Sequence, residues 1–132
     1  MQNFARIGEL MNSKMLFIQD NFVKLKEIEQ DNQLKAQLNA VKQNGWTIEH
    51  IKNPSEQVQL EAVKQNGYAI VYIENPSEQV QLEAVKQHGW AIQYIKNPSE
   101  QVQLEAVKQY GKAIVCIENP SERVKQEVKN DI

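Results

Sequence analysis

A stretch of 22 residues recurs along most of this chain with little change. The copy at 53–74 reads NPSEQVQLEAVKQNGYAIVYIE, and it returns at 75–96 and 97–118. A more divergent copy occupies 31–52, and a truncated one occupies 119–132. A fixed period of about 20–50 residues is typical of stacked repeat proteins, in which each unit buries its apolar surface against its neighbours. The repeat therefore limits the fold to an array of similar units.

The letters within one repeat predict two helices. Asn53 is expected to cap the first helix, with Pro54 at the first helical position and Glu56 as a capping-box partner. The helix then runs to about Gln65, and Gly67 is expected to close it in a left-handed conformation. A short second helix follows. The next Asn-Pro pair ends that helix, because the residue before a proline disfavours helical geometry.

The first helix carries apolar residues on two sides, with Val58 and Ala62 on one and Leu60 and Val63 on the other. This distribution predicts a helix wedged between the preceding and the following repeat. In the last copy, the second side changes to polar residues (Gln126 and Lys129), as expected of a terminal repeat without a successor.

Residues 1–30 lie outside the repeat and carry apolar residues three or four positions apart. This spacing predicts an amphipathic helix, with interruptions expected at Gly8 and at Asn12-Ser13. Two roles stay open: a cap that covers the first repeat, or a dimerisation segment. A membrane-surface helix is disfavoured, because acidic residues dilute its basic face. The apolar residues, which are also the candidate dimerisation residues, are Phe4, Ile7, Met11, Met15, Ile18, Phe22 and Leu25.

Taken together, these patterns predict an all-α fold, a right-handed α-solenoid of short helix pairs with an N-terminal helical cap. Residues 1–30 would form the cap or the dimerisation segment. Residues 31–132 would form the solenoid of four 22-residue repeats and a truncated C-terminal capping repeat.

The positions that vary between repeats are the candidates for function. After each glycine the copies read WTIEHIK, YAIVYIE, WAIQYIK and KAIVCIE. The first and fifth letters are mostly aromatic, and a spacing of four places them on one side of a helix. They could pack between layers as large apolar groups, or form a strip that binds a partner, since Trp and Tyr dominate interface hot spots. The candidate partner-binding residues are Trp46, His50, Tyr68, Tyr72, Trp90 and Tyr94.

The composition favours a non-enzymatic protein. Fifteen basic and 17 acidic residues give a net charge of −2, which argues against a dedicated binder of nucleic acid or anionic membranes. A single cysteine excludes an internal disulfide and favours a reducing, cytoplasmic location. His50 and His88 fall at different repeat positions, and Cys116 has no base at a suggestive spacing. We therefore expect no metal site, no cofactor and no catalytic residues.

The motif NPSEQVQLEAVKQNG resembles two groups of short helical repeats. One is a repeat family of unassigned activity found in bacteria, protists and large viruses. The other is the leucine-rich variant repeat, whose cysteine cluster is missing here, so the resemblance implies no iron–sulfur site. Both resemblances imply a bihelical solenoid over residues 31–132. The near-identical copies also look like those of phage or mobile-element proteins, which often block a host factor.

The sequence thus predicts a protein–protein interaction module, with a small phage or mobile-element inhibitor of a host or defence protein as the specific expectation. Its partner would be a protein, with a homodimer formed through the N-terminal segment. One alternative is a nucleic-acid or nucleotide binder, in which the aromatic residues stack on bases. The other is a structural or oligomerising protein.

Overall fold

The computed structural model describes residues 2–130, with side chains for residues 4–129, and this part of the chain is all-helical. The α-helices there are α1 (Gln2–Gln43), α2 (Glu56–Gln65), α3 (Glu78–Gln87), α4 (Glu100–Gln109) and α5 (Glu122–Asn130). Six-residue 3-10 helices separate them, at Gly45–His50, Gly67–Tyr72, Gly89–Tyr94 and Gly111–Cys116. The prediction of an all-α fold is confirmed.

The chain divides into two compact units, Met1–Ala36 and Gln37–Ile132. In the first unit, α1 continues without a break through Gly8 and through Asn12 and Ser13, where interruptions were expected. A lone glycine inside a helix costs only about 0.5–1 kcal/mol, which the strong helix formers on either side offset. None of the helices in residues 2–130 combines the length and the hydrophobicity that crossing a membrane requires.

In the second unit, successive helices pack against each other, α2 on α3, α3 on α4 and α4 on α5. Each of α2, α3 and α4 also contacts the 3-10 helices before and after it, and α5 contacts the 3-10 helix before it. Val58, Ala62 and Val63 are fully buried, and Leu60 is half-buried. Their counterparts in α3 and α4 are buried to the same degree. This burial agrees with a helix that has an apolar neighbour on each of two sides.

The first helix of each repeat begins two residues later than the sequence suggested. Ser55, not Asn53, is the N-cap of α2, and its Oγ accepts a hydrogen bond from the N–H of Val58 at 3.4 Å. Asn53 instead adopts a left-handed conformation with φ of 51°, as Asn75, Asn97 and Asn119 do at the same repeat position. Asparagine tolerates this conformation better than most residues, and the following proline disfavours the right-handed alternative.

The repeated glycine also has a different role from the expected one. Among the described residues no glycine has a positive φ, and α2 ends at Asn66 in an extended conformation with φ of −153°. A Cβ at Gly45 would lie 2.5 Å from the carbonyl oxygen of Ala62, in the next repeat. Gly45 is therefore required by the close approach of two repeats and not by a left-handed turn.

Candidate partner-binding groove

The 3-10 helices present the variable positions. Within Gly67–Tyr72, Ala69 and Ile70 are buried in the core, with 0% and 2% exposure. Tyr68 is half-buried, whereas Val71 and Tyr72 are exposed. The core residues fix the segment against α2 and α3, so its remaining side chains are held at the surface.

Aromatic side chains contact each other from one repeat to the next. Trp46 meets Tyr72 with 5.7 Å between ring centroids and an angle of 78° between the rings. Tyr68 meets Tyr94 in the same way, at 6.4 Å and 86°. Both pairs join the second residue of one 3-10 helix to the sixth residue of the next, and both have the edge-to-face geometry that aromatic rings favour.

The aromatic positions combine the two arrangements that the sequence left open. Tyr68 and Trp90 are half-buried, and Tyr68 stacks on His88 of the next repeat at 4.5 Å. Trp46, Tyr72 and Tyr94 keep 39%, 42% and 48% of their surface exposed. The rings thus contribute to packing between repeats and leave a substantial area for other contacts.

Four of these aromatic side chains line a shallow groove of about 400 Å³ formed by three successive 3-10 helices. Its walls contain no side chain that is charged at neutral pH. Their polar side-chain groups are the amide of Gln93, the tyrosine hydroxyls and the indole N–H groups. We call this surface the aromatic groove; it is lined by Trp46, Tyr68, Val71, Trp90, Gln93 and Tyr94.

Four of the six candidate partner-binding residues line the aromatic groove, and His50 and Tyr72 do not. The His50 side chain is 79% exposed, with its Nε2 4.0 Å from Oε2 of Glu49. Tyr72 contacts Trp46 but lines a separate depression beside the Asn-Pro loops. Val71 and Gln93 were not predicted, because the candidate residues were chosen by α-helical spacing. A 3-10 helix has three residues per turn, so residues i and i+3 share a side.

Other reactive groups do not line this groove. His88 accepts a hydrogen bond at Nδ1 from the N–H of Gly67, at 3.1 Å, so it links two repeats. Cys116 is half-buried in the last 3-10 helix. Within the part of the chain that the structure describes, no group of three or more His, Cys, Asp or Glu side chains is arranged to hold a metal ion.

The fold and the groove together define an all-helical repeat protein with an aromatic surface. Comparison of the sequence with the models of known protein families finds no match. Searches among curated proteins and among solved structures also find none.

Proposed function

We propose that the chain is a non-enzymatic binding protein, a right-handed α-solenoid whose aromatic groove holds a segment of a protein partner. One observation carries this proposal: partly exposed aromatic side chains from three successive repeats surround a single uncharged groove. Trp and Tyr supply large contact areas with few rotatable bonds, which is why they dominate binding hot spots. The host-factor inhibition expected from the resemblance would then act through this groove.

The lining of the groove indicates the chemistry of the partner segment. Because no charged side chain lines the groove, an uncharged segment is complementary to it. Neighbouring helices pack about 8–10 Å apart, and three residues of a polyproline II helix rise about 9 Å. An extended segment with proline at every third position would therefore place one proline on each repeat, and aromatic-lined grooves are the usual sites for such peptides.

A single-stranded nucleic acid is the competing ligand, because its bases also stack on aromatic rings. Its phosphates, however, require lysine or arginine side chains along the path of the strand, and none lines this groove. We therefore favour the peptide and treat oligonucleotide binding as an outcome of the test.

The two tryptophans provide a direct assay, because Trp46 and Trp90 are the only ones in the chain and both line the groove. A displayed library of random 12-residue peptides would be selected on the full chain. Tryptophan fluorescence would then be titrated with the selected peptide and, separately, with poly-dT. The proposal predicts enrichment of uncharged, proline-rich peptides and a saturable change in fluorescence.

A matched pair of valines makes the test specific to the groove. Val71 lines the groove, and Val115 occupies the same repeat position two units later, outside it. Both are exposed, at 46% and 77%, so neither substitution should unfold the chain. Val71→Ser should cost about 1 kcal/mol of binding, which is about a fivefold rise in Kd, and Val115→Ser should change nothing. Equal effects, or salt-sensitive binding to poly-dT alone, would contradict the proposal.

A further inference from the structure

The first unit carries a second apolar surface, along α1. The seven apolar residues predicted for its stripe are all more than half exposed, from 52% at Ile7 to 82% at Phe4. Leu10 and Phe17 extend the exposed surface on one flank, at 57% and 67%, and Ile28 extends it along the helix beyond Leu25, at 55%. Contiguous exposed apolar patches of this kind mark interaction sites on soluble proteins.

The spacing of the stripe is that of a coiled coil. From Phe4 to Leu25 there are 25 − 4 = 21 positions in six steps, an average of 3.5. A straight α-helix has 3.6 residues per turn, so a repeat of 3.5 keeps its seam facing a partner helix that supercoils with it. Phe4, Met11, Ile18 and Leu25 lie seven residues apart and form the a positions.

The second row of the seam varies along the helix. Ile7 and Ile28 occupy d positions, but Lys14 and Asn21 occupy the two d positions between them. The apolar residues beside these two are Met15 and Phe22, each of which follows the polar residue by one position and occupies an e position. A polar residue within the seam lowers the stability of a coiled coil but can fix the register of its helices, and a long lysine side chain can extend from the seam to water.

The flanking residues match a second copy of the same segment in parallel orientation. With Phe4 at position a, Lys24 is a g residue and Glu29 an e residue, and g faces e of the next heptad across a parallel pair. Lys24 of each copy would face Glu29 of the other. The preceding g and e positions also match, because they pair Leu10 with Met15 and Phe17 with Phe22.

The apolar area is sufficient for a stable pair. Burying a side chain of this size removes about 60–120 Å² of apolar surface from water, so the ten residues of the stripe and its flank supply roughly 600–1,200 Å² per copy. A standard protein interface needs about 800 Å² per partner. We infer that residues 4–29 form a parallel, two-stranded coiled coil with the same residues of a second copy of this chain.

Sedimentation velocity of the full chain over a range of concentrations tests this inference. We expect a species of twice the chain mass of 15.2 kDa. Ile18→Glu places a charge in the seam and should raise the dimer dissociation constant at least a hundredfold. Ser13→Glu places the same charge on the polar side of α1 and should leave it unchanged. Far-UV circular dichroism checks that both variants keep their helices.

A charge exchange tests the orientation. Glu29→Lys should weaken the dimer about threefold to tenfold, because Lys24 of the second copy then faces a lysine. Adding Lys24→Glu should restore the wild-type dissociation constant. A monomer at all concentrations, a higher oligomer, or an assembly that Ile18→Glu leaves intact would overturn the inference. A double variant as weak as the single one would overturn the parallel register.

Discussion

At the residue scale, the glycine that opens each 3-10 helix lies against the α-helix of the following repeat. A Cβ at Gly89 would lie 2.7 Å from the carbonyl oxygen of Ala106 and 3.1 Å from Cβ of Tyr110. At Gly111 the nearest such atom is Cγ1 of Val128, at 3.8 Å, which is an ordinary contact. Gly111 therefore has room for an added methyl group, whereas Gly89 does not.

This difference predicts opposite outcomes for two identical substitutions. Gly89→Ala should lower the free energy of unfolding by about 1–3 kcal/mol, because the backbone atoms that it meets cannot move aside cheaply. Gly111→Ala should be neutral or stabilise by up to about 1 kcal/mol, since alanine restricts the unfolded chain. Urea denaturation followed by circular dichroism measures both. Similar losses at the two positions would show that backbone conformation, and not space, selects glycine.

The sequence pattern shows that the Asn, Ser and Gly positions of the repeat are special, but some of the roles predicted for them are wrong. Asparagine and serine both cap helices, so the letters Asn-Pro-Ser did not reveal that Ser55 is the cap and Asn53 the left-handed residue. Gly67 was assigned a left-handed conformation because glycine is common there. Its actual constraint is the carbonyl oxygen of Ala84 in the next repeat, which no pattern within a single repeat contains.

At the scale of the element, the cap serines of α3 and α4 also link repeats, because each donates a hydrogen bond to a glutamate of the preceding repeat. Ser77 Oγ accepts from the N–H of Val80 at 3.3 Å and donates to Oε1 of Glu56, in the preceding repeat, at 2.7 Å. Ser55 makes the same cap on α2. The residue that corresponds to Glu56 one repeat earlier is Leu34, which cannot accept a hydrogen bond.

Comparing Ser55 with Ser77 therefore separates the free energy of the helix cap from that of the hydrogen bond to the preceding repeat. Ser55→Ala should cost about 1 kcal/mol for the lost cap. Ser77→Ala should cost that amount and up to about 1 kcal/mol more for the exposed bond to Glu56. In a Glu56→Ala background, the extra cost at Ser77 should disappear, as a double-mutant cycle would measure. If Ser55→Ala and Ser77→Ala lower the free energy of unfolding equally, both with Glu56 and with Glu56→Ala, the bond to Glu56 contributes nothing to stability.

The α-helices of the repeat were predictable, because ten residues with apolar positions on two sides leave few alternatives. The 3-10 helices were not, since six residues contain too few turns to show a period. The prediction of which side chains share a surface was therefore wrong in part. Tyr68 was expected to share a side with Tyr72, four residues on, whereas Val71, three residues on, is the residue that lines the groove beside it.

At the scale of the whole molecule, the repeats form an array whose last helix differs on one side. In α5, Val124 is fully buried, as its counterpart Val58 is. Gln126 and Lys129 are exposed, and they stand where α2 has Leu60 and Val63, which are half-buried and fully buried. The sequence predicts this change, because a helix side that no neighbouring repeat covers meets water and is expected to carry polar residues.

Restoring the internal sequence in α5 should therefore make this side of the helix associate. The double variant Gln126→Leu, Lys129→Val gives α5 the apolar side that internal repeats bury against a neighbour. In a background where Ile18→Glu has removed pairing through α1, we expect this variant to form oligomers whose size increases with protein concentration. Sedimentation velocity would detect these oligomers.

The control is Glu122→Leu, Arg123→Val, which adds the same two side chains at positions whose counterparts, Glu56 and Gln57, are exposed in α2. This variant should stay at the size of its parent, because its new apolar groups lie apart from the side that a following repeat would cover. If both doubles associate equally, added hydrophobicity alone is the cause. If neither does, the polar residues of α5 are not what prevents association through this side of the helix.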